Sequence, residues 1–416
     1  VLSLTNWARN VSFDPARFVL PTTVDELREL VATNDRIRVL GTGHSFSELV
    51  VTDGVSVSLA NLPVVTAIDR AASTVRVSAN VRYGELMLRL DEVGLALHNA
   101  GSLPHISVAG ACATGTHGSG SGNGCLSTGV VELELVGPDG SSRTLRHGDP
   151  EFDGSVVAMG LLGVVTSLTL RVQPTYQIRQ YVYDDMPFDT FVANFDEVMD
   201  SAYSVSAFTT WRRPVMDTVW RKQLVDAPPA PQTWFGARLA TSARHPIASM
   251  PIENATEQLG RPGPWHDRLP HFRLGFTPSS GDELQTEYLL PREQAPAALT
   301  AISAIRGAIG AATQISEVRT VAADRLWVSP AYGRPTVGLH FTWVPDVSVA
   351  GPAMAAVEGA LAPFEARPHW GKIFAVDPGR VRALYPRMED FDRLVRRRDP
   401  EAKFTNAFTQ RYLGPR

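Results

Sequence analysis

The chain has 416 residues, 44% of them hydrophobic and 20% charged, with a formal net charge of -4. This length accommodates two or three domains with their own cores, and the composition is that of an ordinary globular protein. The mildly acidic balance gives no electrostatic footprint for nucleic acid, and no window offers the ~20 consecutive apolar residues of a membrane span.

"VLSLTNWARN" lacks the basic segment and apolar core of a signal peptide. "TVDELRELVATN" has apolar residues at helical spacing; Thr23 is the expected N-cap, with Glu26 completing a capping box. "RIRVLG" reads as a strand running into the turn "GTGHS". "VSVSLANL" and "VVTAIDRAASTVRVSAN" read as further strands, the second broken near 71–73. "YGELMLRLDEVG" returns to helical period and stops at Gly94. Residues 100–124 are glycine-rich and poor in charge, yet contain apolar residues and two histidines. A backbone lying close against a bulky ligand explains this better than a flexible linker. Cys112 and Cys125 fall in or beside that stretch; two cysteines make no disulfide framework, so both are expected free and the protein cytoplasmic.

"VVELELVGPDGSSRTLRHG" is expected to form a hairpin with a Pro-Asp-Gly turn, and "GLLGVVTSLTLRVQP" a buried strand ending the first module near Pro174. "PQTWFGAR" and "RPGPWHDRLPHFRLGFTPSSG" read as long ordered loops. Strand "ELQTEYLLP", a helix over 294–310, and strands "ISEVRTV" and "TVGLHFTWV" follow. "RLVRRRD" reads as a solvated helix face, and "DPEAKFTNAF" as a tail packing back on the first module. The pattern is α+β, without strict βαβ alternation or internal repeats.

Several constellations bear on chemistry. GxGHS is not GxGxxG, so the dinucleotide fingerprint fails; a plain turn is as consistent with it as a phosphate cradle. In "ISEVRTV" and "TVGLHFTW", period-two alternation puts Glu317 and Arg319 on one face, and His340 and Thr342 on one face of the next strand. Together these form a polar surface. The pattern alone slightly favours a solvent-facing sheet with a structural Glu–Arg pair. The histidines, including His266 and His271, lack metal-site spacing, and no GxSxG elbow is present, so no metal and no serine nucleophile are expected.

"RVLGTGHSFSEL" followed by "GSLPHISVAGACATGTHGSG" resembles the covalent flavoproteins of the vanillyl-alcohol-oxidase type. "DELQTEYLLPRE", "SEVRTVAAD", "LHFTWV", "RPHWGKIF" and "KFTNAF" narrow the resemblance to the alditol-oxidising branch, whose relatives include sugar-lactone oxidases. It spans Thr5 to Phe408. The resemblance implies two domains, an FAD-binding α+β domain (1–174 and 373–416) and an α+β substrate cap (175–372) whose sheet covers the flavin. It implies FAD bonded to His44, with Val39, Leu40, Gly41, Thr42, Gly43 and Ser45 around the pyrophosphate. Ser102, Ser107, Gly110, Thr114, Gly115, Thr116 and His117 would run along the cofactor, joined by Val165 and His369. Gly101 would leave dioxygen room to reach the flavin. Ser102, Glu317, Arg319, His340, Thr342 and Lys372 match the substrate pocket of that branch. Arg319 and Lys372 would stabilise a developing alkoxide, while His340, or else Lys372, takes the hydroxyl proton as hydride leaves for flavin N5. The implied reaction is alditol plus O2 to aldose plus H2O2, by a monomer without nucleic-acid or membrane partners; a sugar-1,4-lactone oxidase is the alternative.

Overall fold

The structure, a computed structural model, describes residues 4–276 and 279–414. Helix Val24–Thr33 begins where expected: Thr23 Oγ1 accepts from the Glu26 N–H at 3.1 Å, and Leu27 and Val31 are buried. The capping box is not closed, because Glu26 accepts instead from the backbone N–H and hydroxyl of Thr22. The helix packs Leu27 and Val31 against Ile37, Val55, Val57 and Phe404. Beneath it lies a parallel three-stranded sheet, with Val55–Val57 between Arg17–Val19 and Ile37–Val39. The GxGHS turn leaves the C-terminal end of Ile37–Val39, the end at which parallel sheets commonly carry ligand sites.

Helix Tyr83–Glu92 ends at Gly94, whose φ of +76° is the left-handed value such a stop requires. The expected hairpin, Val130–Val136 with Ser142–Arg146, joins an antiparallel five-stranded sheet with Val164–Arg171, Thr74–Ser78 and Thr66–Asp69. The glycine-rich stretch is more regular than its composition suggests. It contains helix Val108–Ala113, whose small residues Ala111 and Cys112 are buried. Cys112 and Cys125 are free and buried.

The second half is dominated by a ten-stranded antiparallel sheet among the described residues. Its centre runs Gln177–Pro187, Val215–Leu224, Ser204–Thr209, Thr313–Val321, Thr336–Trp343, Leu284–Pro291. "PQTWFGAR" is not a plain loop: Thr233–Trp234 and Ala237–Leu239 form a tight hairpin at one edge, with Phe235 and Gly236 at positive φ. The helix expected over 294–310 is two, Ala295–Ala304 and Arg306–Ile309. Val318, Leu339, Phe341, Trp343, Leu284 and Tyr288 point to the helix-covered side and form one core.

Helix Val347–Leu361 packs Ala350, Ala353, Val357 and Leu361 into that core. With the following turn to Phe364 it has the length and hydropathy of a membrane span by composition alone, closer to one than the sequence reading allowed. Glu358 interrupts it, accepting from the Tyr288 hydroxyl at 2.9 Å and the Ala375 N–H at 2.8 Å. The C-terminal segment packs on the first module: Lys403 Nζ donates to Val31 O and Pro138 O, and Asn406 to Leu49 O and Val51 O. Arg397 and Arg398 of the basic helix pair with Glu151, so that face is partly a docking surface.

Candidate active site

A cavity of about 460 Å³ runs from the GxGHS turn, past helix Val108–Ala113, to the uncovered face of the large sheet. Register explains that face. Gln285 pairs with Thr342, Glu287 with His340, His340 with Glu317, and Phe208 with Glu317. Alternation then aims Gln285, Glu287, Glu317, Arg319, His340 and Thr342 at the cavity. All six are buried, which overturns the reading of a solvent-facing sheet with a surface Glu–Arg pair.

Arg319 is the electrostatic centre. Its guanidinium pairs with Glu287, lies 3.6 Å from Glu317 Oε2, and donates to Ser102 Oγ at 3.2 Å. Burial works against charge on both carboxyls, but Arg319 leads the interactions that hold them well below the ordinary carboxylate range. Glu287 also lies 3.2 Å from His117 Nε2 and 3.6 Å from His340 Nδ1. His340 Nε2 is 3.3 Å from the Thr342 hydroxyl. Burial lowers His340 below its usual value despite Glu287, so its imidazole is neutral at pH 7 and able to accept a proton.

Lys372 arrives from the C-terminal segment. The Phe46 N–H donates to Gly371 O and the Ser47 hydroxyl to Trp370 O, both at 2.8 Å. Those bonds tie residues 370–372 to the turn carrying His44. The Lys372 ammonium donates to Gln285 Oε1 and sits 4.9 Å over the Phe46 ring. Burial pulls it down to about 8, with Glu287 opposing.

At the other end, Gly43 takes φ +69°, and its carbonyl accepts from the Trp7 N–H at 2.8 Å. The His44 ring stacks on Trp7, 6.0 Å between centroids, and its Nδ1 is buried without a hydrogen-bond partner among the described residues. Burial, reinforced by His105, lowers His44 to about 4. A Cβ on Gly41 would sit 3.0 Å from Ser107 Oγ, and one on Gly110 2.8 Å from it, so both glycine loops close on one hydroxyl. A long cavity with backbone at its walls, a neutral unpartnered imidazole at one end and a polar cluster at the other fits FAD and a small polar substrate.

Every residue expected around cofactor and substrate lines this cavity except Gly115. With φ +69° just past helix Val108–Ala113, and Pro330 Cδ 2.8 Å from where its Cβ would be, Gly115 serves the turn and the packing behind it. Glu287, Gln285 and His271 are the site residues that sequence reasoning missed. Among the described residues no cluster of potential metal ligands occurs.

Comparison with known proteins agrees with this geometry. Residues 15–146 match the family model described as FAD binding domain, and 282–412 that of D-arabinono-1,4-lactone oxidase. The chain is 47% identical over 414 residues to an alditol oxidase of Streptomyces sp., covering 99% of both chains. It is 28% identical to L-gulono-1,4-lactone dehydrogenase of Mycobacterium tuberculosis, again over 99% of both. A solved solvent-stable cholesterol oxidase shares the fold at TM-score 0.79 and 16% identity, covering 99% of this chain and 97% of that one. Fold, cavity and relatives define an FAD-dependent oxidoreductase of the vanillyl-alcohol-oxidase type. Within that class the chain belongs to the alditol oxidase family.

Proposed function

We propose that this protein oxidises alditols such as xylitol or sorbitol at a terminal hydroxyl to the aldose, with O2 as acceptor and H2O2 as second product. The observation that carries this reading is the buried Glu317–Arg319–His340–Thr342 set, joined by the half-buried Lys372, at one end of a cavity whose other end is the His44 turn. FAD supplies the two-electron acceptor that dioxygen regenerates. We assign it to the walls formed by residues 39–45, Ser107, Gly110, Thr114, Thr116, His117, Val165 and His369, with the covalent link at His44. The neutral imidazole and its unpartnered Nδ1 support that link.

The chain's own residues divide the remaining work. His340, neutral and close to Thr342, accepts the hydroxyl proton. Arg319 and Lys372 stabilise the alkoxide as charge develops on it. Glu317, Ser102 and Thr342 bind the other hydroxyls; an uncharged polyol is selected by hydrogen bonds, and burial preorganises Glu317 and Thr342 while Arg319 holds the Ser102 hydroxyl. Gly101 lines the cavity and leaves space for dioxygen. We assign 1–174 with 373–416 to the cofactor and 175–372 to the substrate cap. The protein works as a cytoplasmic monomer on small molecules, without membrane or nucleic-acid partners. Peroxide formation with xylitol and identification of xylose test this reading; activity confined to 1,4-lactones would replace it with the lactone-oxidase alternative.

A further inference from the structure

Lys222, on strand Val215–Leu224, is fully buried, and among the described residues its Nζ pairs with no carboxylate. Its Nζ has three acceptors: Leu269 O at 2.5 Å, Pro270 O at 3.2 Å and His271 Nδ1 at 3.0 Å. Three acceptors match the three N–H groups of an ammonium. The other ring nitrogen, His271 Nε2, is 2.7 Å from Glu317 Oε1. Glu317, held as a carboxylate beside Arg319, can only accept, so Nε2 carries the hydrogen and Nδ1 must receive one. Phe208 and Trp220 meet the His271 ring edge-to-face, centroids 5.4 and 5.3 Å away, and hold its plane. The His271 N–H also donates to Ser102 O at 3.2 Å, so the same residue braces two pocket positions.

We propose that Lys222 is a positioning residue for substrate recognition: by donating to His271 Nδ1 it fixes the tautomer whose Nε2–H holds Glu317 Oε1, leaving Oε2 beside Arg319 to receive a substrate hydroxyl. The role given to Glu317 rests on the alditol reading; the Lys222–His271–Glu317 relay does not. Without the lysine, Nδ1 loses its donor and Glu317 alone opposes the other tautomer, in which Nδ1–H is offered to the carbonyl oxygens of residues 269 and 270 that Lys222 has released and a bare Nε2 lone pair faces the carboxylate. Glu317 is then repelled from its support.

The test uses flavin-loaded protein labelled with 15N-histidine at roughly pH 6, below the value of about 7 to which burial lowers Lys222, Glu317 opposing. Comparison with His271→Gln assigns the His271 signals. Wild type is expected to show the Nε2–H tautomer, and Lys222→Met to lose it. In the same pair, KM for xylitol rises about 10-fold while kcat changes less, the mark of lost binding common to ground and transition states. Lys222→Gln, which keeps an N–H donor, retains the tautomer and serves if the Met variant does not fold. A merely structural lysine would lower the yield of loaded protein and leave tautomer and KM alone. An unchanged tautomer in Lys222→Met, a changed tautomer with unchanged KM, or loss of the tautomer in Lys222→Gln overturns the proposal. Wild-type protein inert toward xylitol would instead overturn the alditol reading, with the spectra still reporting on the relay.

Discussion

Replacing Arg319 by methionine removes the one guanidinium that lies between Glu287 and Glu317. At an effective dielectric near 20, each opposite-charge contact at about 4 Å is worth roughly 4 kcal/mol, partly offset by the desolvation of Arg319. Stranding a buried partner typically costs about 3–5 kcal/mol. Protonation caps the loss: against an ordinary value of 4.5, holding a carboxyl protonated at pH 7 costs about 3.4 kcal/mol at ~1.36 kcal/mol per pH unit. With two carboxyls stranded the cap is about 7 kcal/mol, so the expected destabilisation at pH 7 is about 3–5 kcal/mol. Its pH dependence has a definite sign. In the wild type both carboxyls titrate below their ordinary value, so their contribution is full above ~4.5 and lost as pH falls through the depressed values. In Arg319→Met they titrate above it, so the variant's deficit shrinks as pH falls from 7 toward 5. Denaturant unfolding at both pH values measures this, and kcat/KM for xylitol should fall at least ~100-fold, the scale of one transition-state stabiliser. A deficit that grows as pH falls, or a kcat/KM within ~10-fold of wild type, refutes the reasoning.

His44→Ala is expected to leave no flavin bound after acid denaturation; retained flavin places the link on another residue. In Gly101→Ala the new methyl has its nearest protein neighbours at 3.8–3.9 Å, ordinary contact distances, so it fits at a position that lines the cavity. Stopped-flow measurement should show reoxidation slowed more than reduction, and the reverse order would remove the oxygen-access role. kcat/KM should rise with pH as His340 loses its proton below the usual histidine value, then fall as Lys372 loses its own through about 8. Lys372→Met should abolish the alkaline limb and lower the rate at least ~100-fold; a surviving limb would assign it elsewhere.

The residues that could be read from sequence were those whose signal is local. The GHS turn sits at the end of an obvious strand, and two-residue alternation alone placed Glu317 with Arg319 and His340 with Thr342. Whether that face met water or ligand depended on what covered it, which no short-range pattern carries. "LQTEYLLP" held the same alternation, with Gln285 and Glu287 opposite Leu284, Thr286 and Tyr288, but only register against Thr336–Trp343 shows that Glu287 faces His340. His271 and Lys222 are 49 residues apart and meet Glu317 only through the loop that follows Trp265. Helix Val108–Ala113 was hidden by its length and its neighbours: six residues in which Gly and Val offset the alanines, set among further glycines, are too few to nucleate a helix without the packing that buries Val108, Ala111 and Cys112. Gly115, placed along the cofactor by the resemblance, lies outside the cavity lining, and its φ of +69° shows a second reason for glycine there: a left-handed backbone at the turn.

If alditol oxidation in this cavity is coupled to a bound flavin, the substrate itself must reduce the flavin. Mixing the purified protein anaerobically with xylitol and following the flavin band near ~450 nm tests it most directly. Rapid bleaching is expected, reversing when air is admitted, with peroxide formed. A flavin that stays oxidised in excess xylitol and sorbitol, yet bleaches with a sugar lactone, would contradict it.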